Sequence, residues 1–316
     1  MNLAREILEK PLSVGDLIGR AIRVYRLNFK SWVPILVWPT IICALGRVIM
    51  QGSMAIAAER ESGLSSIGFG ILALIGLSIW IVSKWVIIVR QLAFVRLANG
   101  FSSSLGEALD FVQKRQWSVL GAAVLVNFIL VAVTGLWFLE LIASGLLYKR
   151  DTILAITASA GLLFGIIAGS ISCSFIYYVM FVVCSGIACE KTGMTAMISR
   201  GFKLTGKAVF RTLCLGTLIW LTTYFISIPL WLPPFILIGL DAFRMGLDVN
   251  LAKDVPIHWQ VISSAWEPLV EMVIWPITSL AYGFFYYDLR LRQEAVDVDL
   301  KLEVNRQELQ TEASFS

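Results

Sequence analysis

The run VLGAAVLVNFILVAVTGLWFLEL, from Val119 to Leu141, holds 23 residues with a single charge, Glu140, near its end. A helix rises about 1.5 Å per residue, so about 20 apolar residues cross the hydrocarbon of a bilayer. Five further blocks have the same character: Trp32 to Met50, Ile67 to Val89, a stretch within Thr152 to Cys189, Leu213 to Leu232 and Trp259 to Tyr287. Over 316 residues, 58% are hydrophobic and only 15% charged. A soluble domain carries about 25% charged residues and would need more polar surface than this chain supplies. The reading is an all-α polytopic membrane bundle of six transmembrane helices.

Prolines punctuate these spans. Pro233 and Pro234 are expected to end the fifth, because neither donates a helical hydrogen bond. Pro34 and Pro39, and Pro268 and Pro276, predict kinks in the first and sixth. Residues 1–30 lack a short apolar segment ahead of a small-residue cleavage site, so targeting by the spans themselves is expected. The five cysteines lie in or beside apolar blocks, with no Cys-x-x-Cys pair, and His258 is the one histidine. This pattern points to core cysteines and an interfacial histidine, with no metal or cofactor.

Six spans place both termini on one side. Nineteen of the 26 Lys and Arg residues fall on that side and five on the other, with Arg47 and Lys84 inside spans. Basic residues accumulate on the cytoplasmic side, so both termini are expected there. The tryptophans agree. Trp32, Trp85 and Trp117 mark one boundary and Trp137, Trp231 and Trp259 the other, where an apolar ring with one N–H settles. The basic residues are dispersed and form no nucleic-acid motif.

Two basic segments share one design: Leu17-Ile18-Gly19-Arg20-Ala21-Ile22-Arg23-Val24 and Met197-Ile198-Ser199-Arg200-Gly201-Phe202-Lys203-Leu204. Arg200 answers to Arg20 and Lys203 to Arg23. On a helix, Arg20, Arg23, Arg26 and Lys30 share one face, as do Arg200, Lys203, Lys207 and Arg211. A middle copy, Ser104-Leu105-Gly106-Glu107-Ala108-Leu109, resembles Ser13 to Ile18 at an offset of 91, with Phe111 in place of Arg20. A single membrane domain over residues 1–300 follows, in repeat units of about 13–100, 104–190 and 193–292, with a polar tail at 301–316. The basic faces suit anionic lipid headgroups. They equally suit amphipathic connectors that only fix topology.

Pro11-Leu12-Ser13-Val14-Gly15-Asp16-Leu17, then Arg23-Val24-Tyr25-Arg26-Leu27-Asn28-Phe29-Lys30, resembles the start of the membrane domain associated with bacterial glycerophosphoryl diester phosphodiesterases. Ser199-Arg200-Gly201-Phe202-Lys203-Leu204-Thr205 is similar to its internal basic motif, and Tyr286 to Glu294 to its terminal one. The resemblance covers roughly residues 11–300. It implies a six-helix module of the bacterial cytoplasmic membrane, linked to lipids or to a membrane-protein partner. Only about 20 polar residues follow the last motif, so the phosphodiesterase activity does not carry over and a non-enzymatic role is expected.

Charges inside spans are costly and mark candidate sites. Glu271 is the deepest acid. Lys84 can snorkel toward Arg90, or pair with Glu271 if the second and sixth spans touch. Arg47 can pair with Glu140 or Glu267. One reading is a transporter or channel whose water-filled cavity is lined by Glu271 with Lys84 or Asn127; the other is structural pairing. Gly161, Gly165, Gly169 and Cys173 form a small-residue stripe, suited to packing within the chain or to a homo-oligomer seam. Asp288, Arg290, Arg292 and Glu294 read as an interfacial anchor. No phosphate-binding glycine loop or His-Glu-x-x-His motif occurs, and no catalytic residue is assigned.

Overall fold

Apolar runs that must satisfy their own backbone in lipid become helices, and the computed structural model contains only helices among its described residues, 11–59, 64–147, 152–244 and 256–294. They are α1 (Val14–Glu59), α2 (Leu64–Ala98), α3 (Leu105–Lys114), α4 (Gln116–Leu147), α5 (Thr152–Cys189), α6 (Met194–Gly206), α7 (Val209–Arg244) and α8 (Ile257–Glu294). Six are long and apolar enough to cross a membrane: α1, α2, α4, α5, α7 and α8. Phe128, Leu136, Phe164, Phe225 and Phe243 are each more than 60% exposed along these helices. Apolar exposure on this scale has its solvent in lipid. The polar tail lies outside the described residues.

The basic segment of α1 continues into its span without a break, whereas α3 and α6 are separate short helices. All three bury the same register. Leu17, Ala21 and Val24 are buried on α1, and the matching positions Met197, Gly201 and Leu204 are buried on α6. Ala108 and Val112 on α3 match Leu17 and Ala21 at an offset of 91. Ser13 and Asp16 exchange hydrogen bonds at the start of α1. At α3, Glu107 accepts from Ser103 while its N–H donates to Ser104. These reciprocal caps serve orphan N–H groups of the first turn. The backbone and hydroxyl of Ser103 hold the Glu107 carboxyl below the usual range.

The expectation that Pro233 and Pro234 end the fifth span is overturned: α7 runs on to Arg244. Pro234 has no N–H for the Leu230 carbonyl, and the indole Nε1 of Trp266 donates to that carbonyl at 2.7 Å. In α1 the same device serves Pro39, whose missing N–H frees the Ile35 carbonyl, and the Arg90 guanidinium donates to it. A helix with an interior proline persists when a neighbour takes the freed carbonyl.

The described residues fall into two compact units. Among the described residues, unit 1 takes 11–20, Val95–Ile219 and 279–294, and unit 2 takes Ala21–Phe94 and Trp220–Thr278. In unit 1, Phe181 stacks on Tyr282 at 4.8 Å. A Cβ on Gly169 would meet Trp137 of α4 at 3.0 Å, and Cys173 Sγ lies 3.3 Å from Thr134 of the same helix. These two members of the small-residue stripe therefore pack within the chain. In unit 2, Trp32 stacks on Phe94 at 4.6 Å.

The tightest crossing in unit 2 is between α1 and α2 at Gly46 and Gly76. A Cβ on Gly76 would lie 2.5 Å from the Met50 nitrogen and 2.7 Å from the Gly46 carbonyl oxygen. Both obstacles are backbone, so only glycine allows this approach. Gly76→Leu is expected to lower stability in detergent by about 3 kcal/mol, the upper part of the overpacking range. An unchanged unfolding midpoint would rule out this crossing as a stability determinant.

Candidate functional site

A polar ladder runs along α8 in unit 2. Ser264, Glu267 and Glu271 lie at i, i+3 and i+7, so they share one face. Ser264 donates to the Gln51 side chain of α1. Glu267 pairs with Arg47 of α1 at 2.5 Å. Glu271 pairs with Lys84 of α2, whose Nζ also sits 5.6 Å from the Trp275 ring centroid. Lys84 thus turns to Glu271 rather than snorkelling toward Arg90. The Arg47 alternatives resolve to Glu267; the side chain of Glu140 lies outside the described residues.

The Lys84–Glu271 pair opens onto a cavity of about 40 Å³, lined also by Thr40, Gln91, Met272 and Trp275. Thr40 is fully buried, and its hydroxyl has no hydrogen-bond partner. Sequence reasoning missed Thr40 and Gln51. The available signal was their spacing with Arg47 at i, i+7 and i+11, which puts all three on one face of α1. Asn127 does not join this site. It belongs to unit 1, where its amide donates to the Ala123 carbonyl at 2.8 Å and the Met180 sulfur at 3.1 Å.

Two ionic clusters organise unit 1, and both use the terminal motif. In the first, Arg200 of α6 pairs with Glu190 at 2.5 Å and with Glu294. Arg290 reaches Glu190 at 2.7 Å and Glu294 at 3.0 Å, and the Tyr286 hydroxyl donates to Glu190. The hydrogen bond to Glu294 pushes the Arg200 pKa further up. In the second, Asp288, 2% exposed, accepts from the Leu12 N–H at 2.8 Å, from Arg211 at 2.8 Å and from Arg292 at 3.0 Å. Both arginines also donate to the Leu12 carbonyl, at 2.5 and 3.0 Å. Leu12 of the opening motif, Arg200 of the internal one and the terminal motif thus all contribute to the ion clusters of unit 1. The terminal motif is more than an interfacial anchor, because its i, i+4 pairs, Asp288–Arg292 and Arg290–Glu294, also hold other segments.

A third arrangement closes the C-terminal end of α5. The last turn of a helix leaves its carbonyls without intrahelical donors. Arg96 donates to the Ala188 and Cys189 carbonyls at 3.1 and 2.8 Å, and Arg115 to those of Glu190 and Thr192. Positive charge at this end also complements the helix dipole. Arg96 is held by Ser102 at 2.8 Å, the Phe101 carbonyl at 3.0 Å and the Phe111 ring at 3.5 Å. Phe111, the residue that replaces Arg20 in the middle copy, therefore serves as the platform for another arginine.

The eight candidate headgroup residues divide by environment. Arg200 and Arg211 engage internal carboxylates. Arg20 lies 5.8 Å from the Phe284 ring. Arg23, Arg26 and Lys30 on α1 are exposed, as are Lys203 and Lys207 at the end of α6. Large exposed apolar residues adjoin them: Leu27 and Phe29, and Val209 and Phe210.

Six apolar spans and their exposed apolar faces define a multi-pass integral membrane protein. No family model, curated protein or solved structure matches the chain.

Proposed function

We propose that this protein is a non-enzymatic component of the bacterial cytoplasmic membrane, with both termini cytoplasmic, acting through anionic lipid headgroups. It belongs in this reading with the membrane modules associated with glycerophosphoryl diester phosphodiesterases. A homo-oligomer or membrane-protein partner is compatible with the role; nucleic acid is not part of it. The observation that carries the proposal is the mixed surface at Arg23, Arg26, Leu27, Phe29 and Lys30, where cations and large apolar side chains are exposed together. Such a surface sits at the headgroup level, with its cations on phosphates and its rings in the acyl boundary. Lys203, Lys207 and Phe210 offer the same combination. The matching burial of α1, α3 and α6 supports an ancestral three-unit design.

Each basic residue near an anionic surface contributes about 1 kcal/mol. Replacing Arg23, Arg26 and Lys30 together by alanine should weaken binding of anionic lipid by roughly a hundredfold, read by native mass spectrometry of detergent-extracted protein. Retention of lipid at the wild-type level would overturn the proposal. Arg211→Met should instead lower stability.

The transporter reading is favoured by one observation, the cavity beside Lys84 and Glu271. Its 40 Å³ holds three or four waters at about 10–15 Å³ each, too little for a larger solute. A volume this small beside the ion pair gives no room for a solute, which leaves the lipid reading ahead.

A further inference from the structure

We propose that the cavity beside Thr40 is a hydration site inside the membrane-spanning part of unit 2, holding about three or four water molecules on the Lys84–Glu271 pair. The proposal is independent of the lipid reading.

An ammonium has three donors and a carboxylate about four acceptor positions. Lys84 and Glu271 give each other one hydrogen bond, and the Trp275 ring faces the ammonium. Ions taken out of water are stable only when their remaining hydrogen-bonding positions are also served. Thr40 is the second observation, and it comes from a different helix. Its hydroxyl lacks a partner, the residue is fully buried, and it lines this cavity. Leaving a buried hydroxyl unserved costs about 1–3 kcal/mol. Met272 lines the cavity too.

The occupant must therefore exchange hydrogen bonds with a hydroxyl and serve both halves of an ion pair. The pair has no net charge, which selects a neutral molecule over an ion. The volume selects water over anything larger. The walls, Ile87, Ile88 and Pro268, are apolar and keep the waters at the polar end.

Radiolytic labelling in lipid nanodiscs tests this, because hydroxyl radicals form from bound water and oxidise a nearby thioether to its sulfoxide. Met272 and Met180 are both half-buried on spans, but only Met272 lines the cavity. Met272 should be oxidised several-fold faster than Met180 in the wild-type protein. Thr40→Val, nearly isosteric, should bring Met272 down to the Met180 rate. Equal rates for the two methionines in the wild type would overturn the proposal. So would a Thr40→Val protein, eluting as the wild type, in which Met272 keeps its fast rate. If that variant fails to fold, the wild-type comparison decides alone.

Discussion

Arg96→Leu is expected to destabilise the protein by about 4 kcal/mol, at the upper end for a single substitution. The side chain is 8% exposed and makes four hydrogen bonds, two of them to the last carbonyls of α5. Each carbonyl left unserved in a dry setting costs about 1–3 kcal/mol. The ring of Phe111 also loses its cation, worth about 0.5–2 kcal/mol. Leucine returns some apolar contact, which keeps the total below the simple sum. Arg96→Lys separates charge from geometry. An ammonium preserves the positive end of the interaction but cannot present a planar fork to two carbonyls while also holding Ser102 and Phe101. Its cost should be about half that of leucine. Equilibrium unfolding in mixed micelles reads both, and equal midpoints for wild type and Arg96→Leu would remove the α5 cap from the account of stability.

Arg96 also shows where sequence reading reaches and where it stops. The six spans are legible because length and apolarity are local properties: a run of about 20 residues either crosses a bilayer or does not. Glu271 and Lys84 stand out because an ion in a span is costly wherever it points. Arg96 and Arg115 are legible only as positive charges on one side. Their capping role depends on where α5 ends, far from both along the chain, and no spacing encodes that. Thr40 carries little signal because a threonine in a span is ordinary; its meaning comes from Lys84 and Glu271 on two other helices. Pro233 and Pro234 mislead for a related reason. A proline stops a helix when its orphaned carbonyl has no other donor, and here the donor for Leu230 is Trp266. Arg200 and Arg211 look equivalent to the exposed Lys203 and Lys207 by helical phase. What separates the two sets is the position of Glu190, Glu294 and Asp288, a tertiary fact.

Asp288 should be nearly as sensitive as Arg96, and its failure should take a different form. The carboxylate neutralises Arg211 and Arg292 and accepts the Leu12 N–H, while the same two arginines hold the Leu12 carbonyl. One peptide segment at the start of the described chain is thus fastened at both ends to the beginning of α7 and the end of α8. Asp288→Asn keeps the shape but gives only one acceptor oxygen, and its NH2 faces cations. It should cost about 3–5 kcal/mol, the range for removing one partner of a buried pair. Arg211→Met alone should cost less, because Arg292 remains to neutralise the acid. The double variant, Asp288→Asn with Arg211→Met, should lose less than the sum of the two, by about 1–3 kcal/mol, since the second change removes a charge that the first left exposed to repulsion. Additive losses would mean that the two groups stabilise the protein separately. In that case each would fasten Leu12 on its own, Asp288 through the N–H and Arg211 through the carbonyl.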